Sequence, residues 1–154
     1  ITADCPTDLI LINDNITNTI SPHYYRKFCS SYYQIYQDVF QGTGKALAVH
    51  HDGLLRDLKG EIETAPFTFI DSLTVPPSGD VSLTQVREWW PDKVPIVNLP
   101  PHLAFVAGRD LREEYEKLLE EWGSNRLIFV HVEDFPPEQV EEHLSALLDV
   151  CGYG

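Results

Sequence analysis

The chain has 154 residues, 43% of them apolar, and a formal net charge of −13. That length suits one buried core and argues against two domains, so residues 1–154 are read as a single domain. Such acidity repels phosphate backbones and the 11 basic residues form no stripe, which excludes nucleic acid as the expected partner.

No apolar run approaches the length of a membrane span, and no basic start followed by an apolar block marks a signal peptide. A cytoplasmic address is therefore expected. Cys5, Cys29 and Cys151 are odd in number, far apart and without a CxxC, a pattern of reduced thiols in a reducing compartment. The chain begins Ile1-Thr2 and holds no methionine, which a piece of a longer protein would explain.

In chain order, "DLILIND" (8–14) predicts a buried strand ending in turn chemistry. Ser21 and Pro22 then supply an N-cap oxygen and a first helical residue that needs no N–H. Tyr25, Phe28, Cys29, Tyr32, Tyr36, Val39 and Phe40 follow at three- and four-residue spacing, predicting one helix with one apolar stripe, stopped by Gly42 and Gly44. Tyr24 and Tyr33 fall off that stripe and are kept as possible contacts.

"KALAVH" (45–50) is the second strand, with a short helix from Leu54 to about Ile62, and "FTFIDSLT" (67–74) is the third. Ser82 and Gln85 predict a capping box opening a helix that runs through Trp90. "VPIVNL" (94–99) is the fourth strand. The helix 110–122 carries Leu111, Tyr115, Leu118, Leu119 and Trp122 on one face, "RLIFVHVED" (126–134) is the fifth strand, and Val140, Leu144, Leu147, Leu148 and Cys151 stripe the last helix.

Strand-helix alternation with near-continuous apolar strands means an α/β fold with a parallel sheet covered by helices. No GxGxxG or Walker loop follows the first strand, so a nucleotide-binding doubly wound sheet is unsupported. A barrel of this kind needs eight strands, so five would be part of one.

Each strand ends in polar side chains: Asn13 and Asp14, then His50 to Asp52, then Asp71 and Ser72, then Asn98, then His131 with Glu133 and Asp134. The carboxyl ends of parallel strands form the face that carries chemistry. Asn13, Asp14 and Asp71 could equally cap turns, His23, His102 and His143 read as surface or turn residues, and Asp80 as turn chemistry within reach of the site. His50 and Asp52 stand two apart and can point to one side. Joined by His131 or Glu133, they would make a mixed N/O set for zinc or another divalent ion, or a general base with its orienting carboxylate.

With "SPHYYRKF", "ALAVHHDG", "PPSGDVSLTQVREWWPDKV" leading into "PIVNLP", and "HVEDFPPEQV" in this order, nearly the whole chain resembles the C-terminal part of the uroporphyrinogen decarboxylase superfamily. The resemblance implies a (β/α) repeat like the C-terminal part of a TIM barrel, with the site at the strand carboxyl ends. It implies either decarboxylation of a porphyrinogen or methyl transfer between corrinoid proteins and thiols. In the methyltransferase branch a His-x-Cys pair and a later Cys bind zinc. Here His50 matches the His, Asp52 stands where the Cys would be, and no Cys occurs near His131 to Asp134.

An acidic chain with few arginines near strand ends fits a polycarboxylate substrate poorly, so the methyltransferase or demethylase side is the closer one. With the polar strand ends, the expected catalytic set is His50, Asp52 and His131, with His50, Asp52 and Glu133 as metal ligands and His51, Asp71, Asn98 and Asp14 as substrate contacts. A small methylated or thiol substrate and a corrinoid partner follow from the resemblance. A non-catalytic unit is the alternative, and open sheet edges predict a homo-oligomer in either case.

Overall fold

Five short apolar runs, each closed by turn residues, meet in one sheet in the computed structural model, which describes residues 4–123, 129–131 and 136–153. They are β1 (Leu9–Ile16), β2 (Ala46–His51), β3 (Phe69–Thr74), β4 (Val94–Asn98) and β5 (Phe129–His131). All neighbours are parallel and the spatial order is the chain order, β1-β2-β3-β4-β5. The expected α/β class with a parallel sheet is borne out. Among the described residues, no helix is long and apolar enough to cross a membrane.

The helices between them are α1 (Pro22–Phe28), α2 (Ser30–Phe40), α3 (Lys59–Thr64), α4 (Leu83–Trp89), α5 (Gly108–Trp122) and α6 (Pro137–Val150). Side chains alternate across a strand, and here one set faces the helices. Ile10, Ile12, Leu47, Val49, Ile70, Leu73 and Val97 join Tyr25, Tyr33, Phe40, Leu58, Ile62, Leu83, Val86 and Trp90 in one core cluster. A second cluster of Leu99, Leu103, Leu111, Tyr115 and Ala146 holds α5 and α6, and Leu118 packs against both.

Among the described residues, no helix lies over the alternate set. Leu9, Ala46, Phe69 and Ile96 line an open recess of about 490 Å³ with Asp8 and Gly44, and Leu11 is 49% exposed. Parallel sheets are ordinarily buried on both faces. This one has helices on one face and apolar side chains open on the other.

Local rules set most of the boundaries. Ser21 caps α1 by accepting from the Tyr24 N–H, with Pro22 opening the helix. The Ser82 and Gln85 capping box is complete in both directions. The helix expected from Pro22 to Phe40 is divided at Cys29 and its expected stripe is corrected: Tyr25, Tyr33 and Phe40 are buried, whereas Phe28, Tyr32 and Val39 are exposed. His143 is likewise corrected from a surface residue to a buried one, 1% exposed and paired with the Tyr115 hydroxyl at 2.7 Å. On α6 the buried positions are His143 and Ala146, while Leu144, Leu148 and Cys151 are exposed.

Candidate active site at the strand carboxyl ends

Two of the five strands are irregular near their carboxyl ends. β1 shifts register between Ile12 and Ile16, with Asn15 at φ 53°, and β3 between Ile70 and Leu73, with Ser72 at φ 61°. Asn tolerates the left-handed region through its short polar side chain, and Ser does so less readily. A bulge re-aims the side chains next to it. β1 and β3 are the two neighbours of β2, so both bulges flank the His50-His51 pair.

His50 and Asp71 are register partners on β2 and β3, which puts both on the open face. His50 Nδ1 lies 2.7 Å from Asp71 Oδ2, with side chains 19% and 14% exposed. An ionised carboxylate can only accept, so the contact is Nδ1–H donating to Asp71. This fixes the ring and leaves Nε2 as the nitrogen that can accept a proton or hold a cation. Among the described residues, that Nε2 has no hydrogen-bond partner.

His51 turns to the opposite side of the sheet and is 0% exposed. Its Nε2 lies 3.1 Å from the Tyr25 hydroxyl, and its Nδ1 faces Asp14 Oδ1 at 3.4 Å, a close approach without hydrogen-bond geometry. Tyr33 donates its hydroxyl to the other oxygen of Asp14. Burial pushes both phenols well above their ordinary pKa, with the Asp14 charge adding to it, so both stay protonated donors. His51 and Asp14 therefore form a knot that ties α1 and α2 to the ends of β1 and β2.

The other expected residues divide as follows. Asn98 ends β4 and its Nδ2 reaches Ser72 Oγ at 3.4 Å. His131 is the register partner of Asn98 on β5, and its side chain lies outside the described residues, as does Glu133 altogether. Asp52 falls one residue beyond β2, where its N–H donates to the Ile16 carbonyl. Asp80 accepts from the Leu55 and Arg56 N–H groups at 2.7 and 3.1 Å, closing the loop after β2. Tyr24 is exposed on the outer side of α1. Among the described residues, no group of three His, Cys, Asp or Glu converges as a metal would require.

Sequence reasoning missed three things here. Tyr25 reads as stripe, and nothing in its spacing reveals that its hydroxyl meets His51. Ser72 in a left-handed conformation carries no composition signal at all. The division of His50 and His51 to opposite faces follows from strand alternation and is open to reading. In comparisons with known proteins, no family model matches the chain and no curated protein matches it.

Proposed function

We propose that this chain is a run of barrel-type β/α units, like the C-terminal part of a uroporphyrinogen-decarboxylase-type barrel, with proton-transfer chemistry at His50. The single observation that carries the reading is the 2.7 Å pair of His50 Nδ1 and Asp71 Oδ2 on the open side of adjacent strand ends. Sequential parallel order with the described helices on one face supports the barrel type, because such a sheet curls around its uncovered side.

In this reading Asp71 holds the imidazole and stabilises its protonated form, and Nε2 takes the proton of a small thiol. The thiolate so formed would be the nucleophile toward a methyl group on a corrinoid partner, the sulfur–carbon bond forming as the cobalt–carbon bond breaks and the cobalt leaves with the electron pair as cobalt(I). Asn98, in the next row of the sheet, lines the site, and His131 is its register partner on β5. As for zinc or another divalent ion, the described residues offer one imidazole backed by a carboxylate, as metal sites use. Without Glu133 among those residues the set expected from His50, Asp52 and Glu133 falls short of three ligands there, and no step is routed through a metal.

The test is methyl transfer from free methylcobalamin to a small thiol, followed by loss of the methylcobalamin absorption. The expected result is turnover in the wild-type chain and its loss in His50→Ala, with folded content unchanged by circular dichroism. Absence of turnover, or equal turnover in His50→Ala, overturns the reading. Decarboxylase-type chemistry would take its place if an acidic tetrapyrrole bound tightly instead.

A further inference from the structure

The two lateral ends of the molecule are unfinished in the same way. At one end, β1 pairs only with β2 among the described residues, and α1 with α2 lies over it. The Arg26–Glu61 ion pair marks the side of α1 that faces α3. Away from that side run Tyr24, Phe28, Tyr32, Ile35 and Val39, each close to half exposed. Their steps of four, four, three and four residues put them on one helical line. The Cys29 N–H to Tyr25 and the Tyr33 N–H to Cys29 carry the helical bonding across the junction, and the Tyr24 and Phe28 rings stack at 5.8 Å.

At the other end, β5 pairs only with β4 among the described residues, and α6 lies beyond α5. The Arg112–Asp149 pair and the Gly108 N–H to Glu142 mark the side of α6 that faces α5. On its opposite side Val140, Leu144 and Leu148, at successive four-residue steps, line a groove of about 570 Å³ with Tyr153. Contiguous apolar stripes of this kind mark interaction surfaces.

The outer helices α1 and α6 also carry opposite charge. α1 holds His23, Arg26 and Lys27 and no acid, whereas α6 holds Glu138, Glu141, Glu142 and Asp149 and no Lys or Arg. Lys27 sits beside the stripe, 5.0 Å over the Phe28 ring, and Glu141 lines the α6 groove. Every strand runs in one direction, so α6 of one copy can lie alongside α1 and α2 of another while the edge of β5 meets the edge of β1 as a parallel neighbour.

We propose that the occupant of these ends is a second copy of this chain, docked head to tail twice about a two-fold axis so that two five-stranded sheets close into one ring of ten strands, wider than the eight-stranded barrel type. Closure removes the exposed edges, covers the open sheet face, and encloses His50 and Asp71 at the carboxyl ends of the strands. It rests on the layering of strands and helices and not on methyl transfer, so the two readings fail separately.

The experiment is sedimentation velocity of the whole chain at micromolar concentration. A dimer of the 17.5 kDa chain is expected. Phe28→Glu and Leu144→Glu, at exposed positions on opposite ends, should each give monomer with unchanged circular dichroism. Lys27→Glu and Glu141→Lys should each weaken the dimer about tenfold, and the double variant should return to within about twofold of wild type. A wild-type monomer overturns the proposal and gives both stripes to helices of further β/α units. Open oligomers that grow with concentration overturn the closed pair, as does a dimer indifferent to Phe28→Glu or Leu144→Glu.

Discussion

His50 Nδ1 and Asp71 Oδ2 stand 2.7 Å apart on neighbouring strands, and this contact selects the Nδ1–H tautomer of His50. Nitrogen-15 shifts of the neutral ring should report Nδ1–H in the wild type. Asp71→Leu removes the acceptor, and the ring should move to the Nε2–H form. An unchanged pattern in Asp71→Leu would show that something other than this carboxylate sets the ring.

Tyr33 gives Asp14 a hydroxyl, and Tyr25 gives one to His51, behind the same strand ends. Removing a partner leaves a desolvated polar group, and the loss is larger where that group is charged. Tyr25→Phe should cost about 1–2 kcal/mol and Tyr33→Phe about 2–3 kcal/mol in chemical unfolding. Equal and negligible losses would mean that water replaces both hydroxyls.

Why these two rows of residues are unequally legible in the sequence comes down to the reach of each signal. The alternation of strands and helices along the chain, the capping box at Ser82 and the polar residues at the ends of β1 to β4 follow from local pattern, and the structure has all three. Which side of α1 and α2 is buried depends on what lies beside them. Phe28 and Tyr32 are as apolar as Tyr25 and Tyr33, and composition cannot say that one pair faces β1 and β2 while the other faces outward. His143 escapes a sequence reading for a related reason, because its burial depends on a hydroxyl 28 residues away on α5.

Gly79 and Gly60 separate steric need from mere absence of a side chain. A Cβ on Gly79 would stand 1.8 Å from the Thr74 carbonyl oxygen, and that atom is backbone and cannot swing aside. Gly79→Ala should cost about 3 kcal/mol or more, as severe overpacking does. Gly60 lies within α3, where an added methyl would meet nothing within 4 Å, so Gly60→Ala should stabilise by about 0.5–1 kcal/mol through helix propensity. Thermal unfolding of both variants checks the pair, and similar effects of one sign would contradict the packing around Gly79.

His143 supplies a pH dependence whose sign can be worked out. Burial lowers its pKa below the ordinary imidazole value, with Glu142 acting weakly in the other direction. Below that ordinary value the unfolded chain binds a proton that the folded chain resists, so unfolding takes up protons and stability rises with pH. The contribution is complete above the unfolded pKa of about 6.5 and is lost as pH falls through it towards the lower folded value. Melting temperatures measured from neutral pH down to pH of about 5 should therefore fall more steeply for the wild type than for His143→Gln. The glutamine variant keeps a polar partner for Tyr115 and has nothing to titrate. Parallel profiles would mean that His143 accepts its proton without leaving the interface between α5 and α6.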